Sequence, residues 1–154
     1  MHNSINIANK FIELCKAAED GYMTPMKLLK LTYIAHGWML ALYDLPLISE
    51  YARAWQYGPV IPELYNEIKK YGDQPVNQLI PIVDDTPFNS QENDLINEVY
   101  KKYGTKYTGL YLSNLTNVKT SPWDTTWKRD PSGNAIIPND LIQSYYKKLA
   151  GREQ

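Results

Sequence analysis

A chain of 154 residues is one domain by length, large enough to bury a core without disulfides or a structural metal. Sixteen basic against seventeen acidic residues leave a formal net charge of −1, which removes the electrostatic steering that would draw a basic chain to nucleic acid or an anionic membrane. One cysteine, Cys15, excludes an internal disulfide and fits a reducing compartment, and no secretory leader or run of about 18 apolar residues is present, so a soluble cytoplasmic protein is expected.

Ser4 is expected to cap a first helix reaching to about Asp20, with Ile7, Phe11, Leu14, Cys15 and Ala18 at helical spacing and Gly21 ending it. Cys15 reads as core filler on that apolar side. Thr24-Pro25 opens a second helix, because Thr24 can satisfy a free first-turn amide and Pro25 lacks the N–H that would go unused there. Leu28, Leu31, Ala35, Trp38 and Leu42 form one stripe, and Leu29, Tyr33, Ile34 and Leu40 lie beside it. A helix apolar all round is covered on several sides, so this is the predicted central helix. Asp44 and Pro46 end it.

Ile48 to Trp55 reads as extended, Gly58-Pro59 as a turn, and Pro62 as the start of a third helix through Leu64, Tyr65 and Ile68 that Gly72 stops. Pro75, Pro81 and Pro87, with Leu79, Ile80, Ile82 and Val83 between them, predict an extended surface crossing. Ser90 is expected to cap a fourth helix carrying Leu95, Ile96, Val99 and Tyr103, closed by Gly104. Thr108 to Thr116 predicts a fifth helix, and Ser121-Pro122-Trp123 starts a short helical turn to about Lys128. Asp130 to Gly133 is a turn. Ala135-Ile136-Ile137 reads as a strand pairing with Ala52 to Trp55, and Asn139 as the cap of a last helix with Leu141, Ile142, Tyr145 and Leu149. The expected fold is therefore mainly α: a compact single domain of about five to seven helices around a buried central helix, with a small two-stranded β element.

Three segments carry a resemblance: Lys27-Leu28-Leu29-Lys30-Leu31 with Tyr33-Ile34-Ala35-His36-Gly37-Trp38; Glu50 and Ala54-Trp55 with Tyr57-Gly58-Pro59-Val60-Ile61-Pro62; and Leu112-Ser113 through Pro122-Trp123. Their order and spacing resemble the Panacea domain, the family of SocA-like antitoxins and phage-associated GepA proteins, most closely over residues 23 to 72 and more loosely over 108 to 149. At Asn117 the chain departs from the pattern, since many relatives show histidine there; Thr116 and Trp123 are the matching positions. The resemblance implies an antitoxin that neutralises a co-encoded toxin by direct protein–protein binding. For the SocA-like branch it also implies a proteolytic adaptor delivering the toxin to an AAA+ protease. With no length left for a DNA-binding domain, residues 1–154 are expected to be the bare Panacea domain, with self-association left open.

Enzyme templates fail on inspection: there is no phosphate-cradling glycine loop, Cys-x-x-Cys, nucleophile elbow or paired zinc histidines, so no catalytic, metal or cofactor site is expected. His2 sits at an expectedly frayed terminus. His36, alone in an apolar helix, fits a hydrogen-bonded core residue better than a base. Lys27 and Lys30 occupy the start of the central helix, where the helix dipole disfavours cations; they face water, or meet an acidic partner or an internal carboxylate such as Glu50. Thirteen tyrosines and four tryptophans, against two phenylalanines, suit a wet interface or equally a core edge. The toxin-binding candidates are Lys27, Lys30, His36, Trp55, Tyr57 and Trp123, with the two lysines expected on one surface beside a rigid Tyr57. The rival functions are a phage or mobile-element transcription regulator, which lacks a basic recognition helix, and a small hydrolase using His36.

Overall fold

The computed structural model of the protein describes residues 1–19, 22–82, 84 and 86–152; Asp20, Gly21 and Val83, named above at a helix end and in the crossing segment, lie outside them. Among the described residues, six α-helices surround or support a seventh, central one, and a small antiparallel sheet closes one side. The central element is α2 (Pro25–Tyr43), capped by the Thr24 side chain, which accepts from the Lys27 amide at 3.3 Å. Every residue from Leu28 to Leu40 is buried. The predicted stripe overreaches only at Leu42, which is 55% exposed. Helices α1 (Ser4–Ala18), α4 (Ser90–Val99), α5 (Gly109–Thr116) and α7 (Asn139–Arg152) pack against it. The approach of α7 depends on Gly37, where a Cβ would overlap the ring of Tyr146.

Three predicted caps are displaced by one residue: at Ser4 and Asn139 the side chain is taken by a distant partner, and at Ser90 the preceding residue is the better cap. Asn3, not Ser4, caps α1 by accepting from Ile5 N at 2.9 Å. Ser4 instead donates its backbone N–H and hydroxyl to the carboxylate of Glu50, tying α1 to the segment after α2. Asn89, not Ser90, caps α4 in a reciprocal box with Glu92. Asn139 is already helical, and its side chain is used by His36.

Two further expectations are corrected. His2 is not frayed: its backbone pairs with Leu47 and Ser49, and its Nε2 lies 2.9 Å from Glu92 Oε2 in a buried setting against Phe88. The sheet has three strands rather than two, in the order β2-β1-β3. Strand β1 (Arg53–Trp55) pairs with β3 (Ala135–Ile136) as expected, and with β2 (Gly58–Val60), which the Gly-Pro pair disguised as a turn. The turn itself is Gln56-Tyr57. Pro59 is tolerated because β2 is an edge strand and needs no N–H on its outer side. Helix α3 (Pro62–Ile68) continues through a tight turn at Lys69–Tyr71 to Gly72, and α6 (Pro122–Arg129) starts at a Ser121 cap.

Candidate functional site

The first turns of α2, the β1–β2 hairpin and α3 enclose an open groove of about 560 Å³. Met26, Leu29, Val60 and Tyr65 make its apolar walls, and Trp55 and Tyr57 its hairpin side. Trp55 is half-buried, edge-on to Tyr65 at 5.1 Å between ring centroids. Tyr57 stands at the turn, beyond the end of β1, where it is 78% exposed. Trp123 does not line the groove but braces it from behind: its Nε1–H donates to the Trp55 carbonyl at 2.6 Å, and its ring stacks on Trp127.

Lys30 forms the inner wall and is only 4% exposed. Its ammonium donates to the Pro59 carbonyl at 2.8 Å, and burial pushes its pKa down to about 8. The expectations of water or Glu50 as its surroundings both give way to this contact, since Glu50 is taken by the start of α1. Gly58 makes the contact feasible. Its φ of +132° is closed to ordinary side chains, and a Cβ there would sit 3.1 Å from Lys30 Nζ, 3.9 Å from Asn117 Cβ and 4.0 Å from Ser113 Oγ. Lys30, Ser113 and Asn117 thus converge around one glycine, although Ser113 and Asn117 arrive from α5 and the residue after it. No carboxylate lines the groove among the described residues; its charged members are Lys30 and Lys69.

The structure brings together Lys30, Trp55 and Tyr57 and sets Trp123 behind them. It separates the other two candidates. Lys27, half-buried, opens into a different hollow of about 360 Å³ with Tyr22, Tyr100 and Thr108, so the two lysines do not share a surface. His36 is wholly buried in the core. Its Nδ1 accepts from the amides of Leu47 and Ile48 at 3.2 and 3.3 Å, so the ring proton sits on Nε2, donated to Asn139 Oδ1 at 3.0 Å. Burial lowers its pKa, opposed by the Asn139 hydrogen bond and the charge of Glu50.

Sequence reasoning missed Tyr65, Lys69 and Ser113. Tyr65, on α3, and Lys69, just beyond its end, are four apart, a readable one-face spacing. Ser113 carried no local signal, because only the packing of α5 on α2 and β2 brings it there.

Among the described residues, no helix is long and apolar enough to cross a membrane, and no three His, Cys, Asp or Glu side chains gather as metal ligands. A family model described as "Antitoxin SocA-like, Panacea domain" matches residues 28–124, well over half of the chain. The match runs from the first turns of α2 into α6 and so spans Lys30, His36, Trp55, Tyr57 and Trp123 but not Lys27. No curated protein and no solved structure matches the chain.

Proposed function

We propose, from the premise that this chain belongs to the SocA-like antitoxin, Panacea-domain family, that it neutralises a toxin by binding it directly through the groove between α2 and the β1–β2 hairpin. Family membership supports the antitoxin role, and one observation supports the place. The groove combines apolar walls, an exposed aromatic held at a two-residue turn, and, among the described residues, cations without carboxylates. Protein interfaces draw most of their energy from a few aromatic and cationic anchors of this kind.

Binding rather than catalysis is the proposed mode of action. The one histidine in the matched region has both ring nitrogens engaged within the core, which leaves it no substrate-facing role as a base. We place the action in the cytoplasm, without a nucleic-acid partner, in keeping with the net charge of −1. The proposed domain is the whole of residues 1–154: α7 lies outside the family match, yet Tyr146 packs on Gly37 and edge-on against Trp38 at 5.2 Å.

Co-expression with the toxin encoded beside this gene tests the reading. Growth should be rescued and the two proteins should co-purify in stoichiometric amounts. Rescue without a physical complex would replace direct binding by a regulatory or enzymatic antidote. Toxin half-life, measured with and without the host AAA+ protease, separates simple sequestration from delivery for degradation.

A further inference from the structure

The groove's inner wall holds a group whose chemistry is incomplete. An ammonium carries three N–H donors, and among the described residues that of Lys30 has one protein acceptor, the Pro59 carbonyl. Buried charges are ordinarily paired, and an unpaired one is costly. Around it, among the described residues, the groove offers no counter-charge. The α3 side contributes Tyr65 and Lys69, the hairpin contributes Trp55, Tyr57 and the backbone of Gly58 and Pro59, and α5 contributes Ser113, followed by Asn117. Lys27, the nearest charge on α2 itself, lines the other hollow.

Resting on the reading of this groove as the toxin site, we propose that its occupant is an aspartate or glutamate side chain of the toxin with an apolar neighbour. The carboxylate completes the hydrogen bonds of Lys30 while the neighbour packs on Leu29, Trp55 and Tyr57. The commitment to a carboxylate follows from charge complementarity: Lys30 and Lys69 would repel a cation, and a neutral group would leave the buried ammonium without a counter-ion. The apolar neighbour follows from the walls. Ser113, beside the same glycine, is placed to hydrogen-bond the second carboxylate oxygen.

The pairing makes binding proton-linked, and the sign is definite. In the free protein the Lys30 pKa is about 8, lowered by burial. A bound carboxylate favours the charged form and raises that value. The complex therefore holds a proton that the free protein begins to release as pH rises through 8. Affinity should be level from pH 6 to 7.5 and then weaken by up to about tenfold per pH unit above 8, since one bound proton sets the limiting slope.

The experiment measures the Kd of the purified full-length complex, by calorimetry or fluorescence, from pH 6 to 9.5. The expected result is the bend near pH 8 in the wild-type complex, with weaker binding at pH 7 and a flat profile for Lys30→Met. An acidic-to-amide scan of the toxin should find one position that removes the bend and is non-additive with Lys30→Met. A flat wild-type profile overturns the proposal by itself, whether or not the variant folds. So does a Lys30→Met complex with wild-type affinity and slope. In either case the complex still forms and direct neutralisation stands; absence of any complex at any pH defeats the parent reading instead.

Discussion

His36 and Lys30 lie six residues apart on one buried helix, and both are ionisable, yet the fold treats them in opposite ways. At His36 the loop after α2 supplies two amides and α7 supplies an amide oxygen, so the ring's hydrogen-bonding capacity is used within the protein. At Lys30 the hairpin supplies a single carbonyl, and the residue lines a groove in which, among the described residues, there is no carboxylate. A buried polar group that is fully partnered specifies the fold; one that is partly partnered at the edge of a groove is a place for something else to bind. The C-terminal half of α2 is thus a closed region and the N-terminal half an open one.

The closed region should break most expensively. Trp38 is buried among α4, α7 and the turn after α4, donates its indole N–H to the Tyr103 hydroxyl at 3.1 Å, and meets Tyr146 edge-on. Trp38→Ala should cost about 3–5 kcal/mol, a large share of the stability of a typical domain. A chemical denaturation curve measures it, and an unchanged midpoint would show that this half of the helix is not the core.

His36→Leu keeps the bulk but leaves the Leu47 and Ile48 amides without their acceptor, which should cost about 2–3 kcal/mol. The pH dependence gives a second handle. The folded protein holds His36 neutral with a pKa lowered by burial, whereas in the unfolded chain it titrates near 6.5. Below about pH 6.5 the unfolded state binds the extra proton, so stability falls as pH drops through that value. The wild type should lose melting temperature between pH 7 and 5.5 by more than the variant does; parallel curves would show that folding leaves the proton affinity of the ring unchanged.

At the boundary between the regions, Gly58→Ala should cost about 1–3 kcal/mol, because φ of +132° strains any side chain. The new methyl also crowds Lys30 Nζ, so the variant should bind toxin less well than its stability loss explains. Titration of the folded fraction at low temperature checks that difference.

The closed region was far more legible in the sequence than the open one. Periodicity and the Thr24-Pro25 start signal located α2 and its burial, because a helix apolar on every face has few alternatives. The helix boundaries slipped by one residue at Ser4 and Asn139, where a distant partner takes the side-chain oxygen, and at Ser90, where the neighbouring Asn89 accepts the first-turn amide. The third strand was hidden because Gly58-Pro59 has turn composition, and only the edge position of β2 excuses the proline. In the open region, Lys30, Trp55 and Tyr57 could be named from their segments. Their grouping, the distance of Lys27 and the arrival of Ser113 depended on how helices three elements apart dock, which no local spacing encodes.

The smallest expected effect on stability is also the one that isolates the open region. Tyr57 stands at a two-residue turn with most of its surface in water, and among the described residues its ring packs against no other ring. Removing it should therefore change stability by less than about 0.5 kcal/mol. Its position is nonetheless rigid, since Trp55 pairs with Gly58 across the turn and Trp123 anchors the Trp55 carbonyl. An aromatic held in place before binding loses little entropy on contact, which is why such residues serve as anchors. Tyr57→Ala should weaken toxin binding by about 2 kcal/mol, roughly 30-fold in Kd, at an unchanged melting temperature. Early unfolding would make the ring a structural member of the hairpin, and unchanged affinity would take the turn out of the interface. The bend near pH 8 should survive in this variant, because the proton belongs to Lys30 on the other wall of the groove.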